Sequence, residues 1–299
     1  MGWFDSEIGS RVRTGATLYL LVGVFLALAT YTCFGRTLLL CLSLLVVALA
    51  AFEYASLVTA VEVARGMVDR VIFFTLTFLP AGFVGYSKFA ANLCGVGAEA
   101  LPQFLVIFVC SLAMMFVGSF LYLIFKGRET LELALNFAVD LFIGSVLIGL
   151  GGGALVMLSV SFHGATLLFW LIMVVSINDT AAYFGGKRYG ARKLALAISP
   201  NKTVEGAFFG FLAGVLAGSL LRIFLPYYIN FFGSVLLALV VVSCAQVGDL
   251  SKSLIKRVYR VKDSGKLLPG HGGILDRVDG LLMAAPVIFL FLLFNEFFY

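Results

Sequence analysis

The chain has 299 residues, of which 62% are hydrophobic and 12% charged, and its formal net charge is +5. A soluble domain typically carries about 25% charged residues, so this composition excludes a soluble globule. It calls for an all-α polytopic integral membrane protein, because lipid requires backbone groups to be satisfied within each span.

Apolar runs long enough to cross about 30 Å of hydrocarbon lie at roughly 15–34, 37–60, 71–90, 101–125, 131–150, 165–184, 206–225, 231–250 and 281–299. Pro80 interrupts the third and the glycines from Gly149 to Gly153 interrupt the fifth. The first run contains Ala27-Leu28-Ala29 but stays apolar beyond it, so it reads as a retained span rather than a cleaved signal. With the N-terminus in the cytoplasm, eighteen of the Lys and Arg residues fall inside and only Arg36, Lys88 and Arg222 outside. That asymmetry predicts about nine transmembrane helices, N-terminus in and C-terminus out. The positive charge also suits anionic lipid or nucleotide. The five cysteines (Cys33, Cys41, Cys94, Cys110, Cys244) form no CxxC pair, and each reads as a small buried hydrophobe. No repeat or linker separates soluble units. The expected division is 1–160 as membrane-anchoring helices and 161–299 as a catalytic membrane domain.

In the front half, Glu53 lies towards the cytoplasmic end of the second span, where a carboxylate facing a site and a snorkelling one are equally compatible with the sequence. Asp140 lies within the fifth span, where an ionisable group is a functional candidate. Asn136, one turn earlier, could hydrogen-bond across helices.

The back half opens with Asn178-Asp179-Thr180 and Tyr183-Phe184-Gly185-Gly186-Lys187 at the end of the sixth span. Next comes Ser199-Pro200-Asn201-Lys202-Thr203-Val204-Glu205-Gly206. Ser199 is the expected N-cap of the seventh span with Pro200 at its first position, and Lys202 beside free N–H groups could bind phosphate. Gly206, Gly210, Gly214 and Gly218 then recur every four residues. Such a small-residue face packs another helix closely, within the chain or across a dimer.

The longest polar stretch runs from Asp249 to Asp279 and reads DLSKSLIKRVYRVKDSGKLLPGHGGILDRVD. It holds Asp249, Asp263, His271, Asp276 and Asp279 among Lys252, Lys256, Arg257, Arg260, Lys262, Lys266 and Arg277. Mixed carboxylates and cations beside an apolar wall suit a metal ion with a polyphosphate. Gln246, Asp249, Ser253 and Lys256 share one helix face, and Asp276 and Asp279 share another. Ser264-Gly265 and Pro269-Gly270-His271-Gly272-Gly273 read as turns between them.

Ser253-x-x-Lys256-Arg257, Lys262-Asp263, Gly265, Leu268-Pro269, His271-Gly272-Gly273, Asp276-Arg277 and Asp279 resemble, position for position, the signature of the phosphatidate cytidylyltransferases, or CDP-diacylglycerol synthases. Asp179-x-x-Ala-Tyr-x-x-Gly and Ser199-Pro-x-Lys-Thr-x-Glu-Gly resemble further motifs of that family, so the resemblance runs from Asp179 to Asp279. It implies a membrane nucleotidyltransferase making CDP-diacylglycerol and pyrophosphate from CTP and phosphatidic acid. It also implies dependence on Mg²⁺, with room for a second metal ion, and a homodimer. The implied setting is membrane lipid with no nucleic acid, at a bacterial inner membrane with the site facing the cytoplasm.

On this reading Asp249 and Asp276 are the principal metal ligands and Asp279 and Asp179 supporting ones. Lys202, Lys256, Arg257 and Arg277 hold the triphosphate or the lipid phosphate, with Ser253 beside them. Ser199, Pro200 and Lys262 contribute to nucleotide binding, and His271, Gly272 and Gly273 shape the loop. Two rivals share parts of the pattern. A lipid or polyprenol kinase also uses Asp, Lys and glycine-rich loops, and a transporter places ionisable groups near mid-membrane. Most charges here cluster at one surface, which disfavours transport. No D-G-x-x-A-R run is present, which disfavours a CDP-alcohol phosphatidyltransferase.

Overall fold

The computed structural model describes residues 23, 24, 26, 32–61, 66–93, 101–126, 131–161, 163–261, 264, 265 and 273–298. In chain order the helices are α1 (Cys33–Val61), α2 (Met67–Leu93), α3 (Leu101–Lys126) and α4 (Leu131–Gly144). A π-helical turn, Ser145–Leu150, leads into α5 (Gly151–Val160), and α6 (Gly164–Tyr189) follows. A short hairpin of β1 (Lys193–Ala195) and β2 (Ser199–Thr203) precedes α7 (Val204–Leu220), α8 (Phe231–Val258) and α9 (Leu275–Phe298).

Eight stretches of the described residues are long and apolar enough to cross a membrane, between Phe34–Thr59 and Leu275–Phe294. They coincide with eight of the expected spans. The remaining one, 15–34, lies largely outside the described residues. Neither expected interruption ends a helix. α2 runs straight through Pro80, packed between α1 and α3. The fifth span continues through its glycines to Val160, because they are packing positions. A Cβ on Gly151 would stand 2.4 Å from the Leu282 carbonyl oxygen of α9.

α9 packs against α8 and also against α5 and α1, so the front and back halves share one apolar core. Trp170, Tyr54, Phe73 and Phe137 are among its largest fully buried side chains. Trp170 also donates its indole N–H to the Gly218 carbonyl at 2.9 Å. The glycine stripe of α7 is spent inside the chain. A Cβ at Gly206 or Gly210 would meet the backbone of α6, and one at Gly214 or Gly218 the side chains of Val242 and Ala238 on α8. Two cysteines depart from the expected burial, since Cys41 and Cys110 are exposed free thiols on the outer helix surface.

The start of the seventh span also differs from expectation. Ser199 and Pro200 do not cap it. They lie in β2, which pairs antiparallel with β1 through Ala195–Ser199 and Lys193–Thr203. Proline forces the residue before it into an extended conformation and removes a donor that an edge strand can spare. Thr203 is the N-cap instead, its hydroxyl accepting from Gly206 N at 3.1 Å. Glu205 in the first turn suits the positive helix end, and it binds the Ala191 amide at 3.0 Å and the Arg192 guanidinium at 3.2 Å.

Candidate active site

The polar ends of five helices meet on one face, the C-terminal ends of α1, α6 and α8 with the N-terminal ends of α7 and α9. Alternating helix direction brings them there; α1, α6, α8 and α9 contribute side chains, α7 its Ala207 carbonyl, and Lys202 reaches in from β2. At the centre is Lys252 on α8, whose side chain is only 10% exposed. Its ammonium lies 3.3 Å from Asp249 Oδ1, 2.7 Å from Asp279 Oδ2 and 3.9 Å from Asp276 Oδ1, and it donates to the Asp276 carbonyl at 3.1 Å. Asp279 Oδ2 is buried, and the Lys252 ammonium at 2.7 Å is what offsets its charge.

Two further ammoniums close the cluster. Lys202 Nζ, on β2, lies 2.5 Å from Asp249 Oδ2, and Lys256 Nζ lies 2.8 Å from Asp276 Oδ1. Three carboxylates and three ammoniums are thus interleaved, and burial of each charge is offset by an opposite neighbour. Asp276 is fully engaged. Its Oδ2 accepts from Ser264 N at 2.9 Å, Ser264 Oγ at 3.0 Å and Gly273 N at 3.3 Å, which ties it to Ser264 and to the backbone just before α9.

Around this core the other expected residues take distinct places. Asp179 is exposed in the C-terminal half of α6, ten residues before its end, and accepts from Asn178 Nδ2 at 2.9 Å. Asn178 Oδ1 in turn accepts from Gln246 Nε2 at 2.8 Å, and Gln246 reaches the Ala207 carbonyl at 2.9 Å. This relay locks α6, α7 and α8 at the level of the cluster. Ser253 returns its hydroxyl to the Asp249 carbonyl at 2.8 Å. Arg257 is exposed and donates to the Ile198 carbonyl at 3.1 Å, pinning the hairpin that carries Ser199, Pro200 and Lys202. Arg277 is exposed on the first turn of α9. Lys262, His271 and Gly272 lie outside the described residues.

Sequence reasoning left two participants unassigned. Lys252 carried its own signal, three residues after Asp249 and four before Lys256 on one helix face. Glu53 was legible only as a carboxylate that could face a site, since its partners are more than 200 positions away. It accepts from Ile274 N at 3.0 Å and Leu275 N at 2.9 Å, and it is 3% exposed. Asp140 is also buried, and accepts a short hydrogen bond from the Tyr259 hydroxyl at the end of α8.

The cluster has the donor chemistry of a hard divalent cation, carboxylate oxygens without thiolate or imidazole. Among the described residues no three such groups are spaced to form a protein cage. Magnesium with a nucleotide needs less, since it uses one or two carboxylates together with phosphate oxygens and water. Asp249 and Asp279, the pair flanking Lys252 Nζ, fit that requirement, and the ammonium between them marks a point already built for positive charge.

Residues 11–295 match the model of the cytidylyltransferase family. The chain is similar to a phosphatidate cytidylyltransferase of Brucella suis biovar 1 (strain 1330), 49% identical over 128 residues, covering 43% of this chain and 47% of that protein. It is 42% identical over 130 residues to one from Bacillus subtilis (strain 168), covering 44% of this chain and 48% of the relative. With one from Rickettsia bellii (strain RML369-C) the identity is 33% over 199 residues, 64% of this chain and 86% of the relative. The matched part spans about half the length of the first two relatives. With a family match across nearly its whole length, the chain belongs to the cytidylyltransferase family.

Proposed function

We propose that the protein transfers the cytidylyl group of CTP to phosphatidic acid, giving CDP-diacylglycerol and pyrophosphate. The observation that carries this reading is the convergence of Lys202, Lys252 and Lys256 with Asp249, Asp276 and Asp279 where apolar spans end. It is supported by relatives named phosphatidate cytidylyltransferase. A phosphate oxygen of phosphatidic acid attacks the α-phosphorus of CTP, and the bond from that phosphorus to the bridging oxygen breaks to release pyrophosphate. The nucleophile is already an anion, so base catalysis contributes little. The barrier lies in bringing two anions together, and charge neutralisation and alignment lower it.

Lys202, on an extended strand, and Lys256, one turn beyond Lys252, are placed to take phosphate oxygens, with Arg257 and Arg277 exposed beside them. Asp249 and Asp279, with Asp179 nearby, are the proposed donors to Mg²⁺, which would neutralise phosphate charge and align the nucleotide. Asp276 holds Ser264 and Gly273 against the start of α9. We put the site at the cytoplasmic face of an inner membrane, on the strength of the charge asymmetry. A homodimer would use a face other than the glycine stripe of α7, which is occupied within the chain.

The test is product analysis with purified protein in detergent. Pyrophosphate release that requires both CTP and phosphatidic acid, with a nucleotide-bearing lipid product, supports the proposal. Absence of that product under saturating Mg²⁺ removes it.

A further inference from the structure

We infer that Glu53, from the front half of the chain, is a positioning residue for the active site, setting the start of α9 against Ser264 and Gly265. The inference rests on the proposed transferase reading for its kinetic consequences, but its geometry stands by itself. Glu53 accepts from the Ile274 amide at 3.0 Å and the Leu275 amide at 2.9 Å. These are two of the N–H groups that the start of α9 leaves without a helical partner. A carboxylate there also meets the positive end of the helix, and this one comes from another span instead of from α9 itself.

The same carboxylate also reaches Ser264. Ser264 Oγ lies 3.4 Å from Glu53 Oε2 and 3.0 Å from Asp276 Oδ2, so one hydroxyl stands between the positioning acid and the cluster. Backbone closes around Glu53 from both sides. A Cβ on Gly265 would stand 2.4 Å from Glu53 Oε1, and one on Gly273 would stand 2.4 Å from Glu53 Oε2. Only glycine allows that approach at either position.

The consequence for the site is direct. Asp276 is the first acidic residue of α9, and its distances to Lys256 and Lys252 depend on where that helix begins. Glu53 fixes that beginning, and it does so from α1, a helix that contributes no other group to the cluster. The front half therefore does more than anchor the protein in lipid. It sets the register between α8 and α9, on which the interleaving of ammonium and carboxylate depends.

The experiment pairs kinetics with amide hydrogen exchange on the full chain in detergent, comparing wild type, Glu53→Gln, Glu53→Asp and Gly265→Ala. Glu53→Gln keeps the size but surrenders the charge. Exchange in peptides covering 273–278 should speed up by about tenfold or more, the factor carried by one charge-assisted hydrogen bond. Peptides of α7 should exchange as in wild type. Turnover per folded molecule should fall by about tenfold or more with a much smaller change in KM for CTP. Glu53→Asp, which restores the charge on a shorter arm, should recover part of the rate. Gly265→Ala perturbs the same contact while leaving α1 intact, and should reproduce the signature of Glu53→Gln even if that variant folds poorly.

Unchanged exchange over 273–278 with a full rate per folded molecule would overturn the inference. So would exchange that rises equally across all helices, which marks a purely structural role. Because exchange is read without substrate, failure of the transferase reading leaves this result interpretable.

Discussion

Lys252 Nζ stands 2.7 Å from Asp279 Oδ2 with both side chains about nine-tenths buried, and Asp249 shares the same ammonium at 3.3 Å. An ammonium here performs the electrostatic task that a metal ion performs in other carboxylate clusters. Removing it leaves the buried Asp279 carboxylate without its ammonium, at a cost of about 3–5 kcal/mol for a broken buried pair. Lys252→Gln should therefore lower the thermal unfolding temperature in divalent-free buffer. Millimolar Mg²⁺ should restore more of that loss than it adds to wild type. Identical Mg²⁺ shifts in the two proteins would count against the cluster as a cation site.

Two of the three aspartates of the cluster, Asp249 and Asp276, differ in what they hold. Asp249→Asn removes a proposed donor to Mg²⁺ as well as the partner of Lys202, and should lower turnover on the order of a thousandfold, as expected when a metal contribution of several kcal/mol is lost. Asp276→Asn should also lower turnover severely, and in addition loosen the hold on Ser264 and Gly273. Amide exchange at 273–278 separates them, rising in Asp276→Asn and staying near wild type in Asp249→Asn. Near-normal turnover of both variants at saturating Mg²⁺ would remove the assignment.

Asp140 is predicted to be structural. Its carboxylate receives the Tyr259 hydroxyl and its carbonyl the Tyr54 hydroxyl at 2.5 Å, well inside the helix bundle. Asp140→Asn keeps an acceptor and should lower the unfolding temperature while costing far less turnover than Asp249→Asn. A loss of turnover equal to that of Asp249→Asn, at unchanged stability, would place Asp140 in the chemistry.

Sidedness is read by cysteine labelling in a cysteine-free background. Tyr189 and Leu196 are exposed at the face that carries the cluster, and Tyr227 is 92% exposed between α7 and α8 at the other. Tyr189→Cys and Leu196→Cys should react with impermeant thiol reagents only from the cytoplasmic side, and Tyr227→Cys only from outside. The reverse pattern would invert the proposed orientation.

Much of this architecture was legible in the sequence because lipid imposes length and apolarity on each span. Even Pro80 and the glycines from Gly149 to Gly153 misled only about continuity, since neighbouring helices support a span where local propensity is weak. The clustering of Asp249, Lys256, Asp276 and Asp279 was legible through composition and helical spacing. The hairpin was not. Ser199-Pro200 is a good helix start by local rules, but Thr203 offers an equally good cap three residues before Gly206, and the extended conformation before proline decided between them. Lys252 was grouped with the other cations, and its role follows only from the carboxylates that α9 brings around it. Glu53 was legible only as a carboxylate that could face a site; its partners lie 211 and 222 positions away and no periodicity links them.

The phosphorus that is attacked distinguishes the proposed reaction from its rival. A cytidylyltransferase substrate attacks the α-phosphorus and expels pyrophosphate, whereas a kinase substrate attacks the γ-phosphorus and expels a nucleoside diphosphate. With phosphatidic acid in mixed micelles, label from α-labelled CTP should enter the lipid phase and label from the γ position should stay in water. Label entering the lipid from the γ position alone would make the protein a kinase and contradict the account.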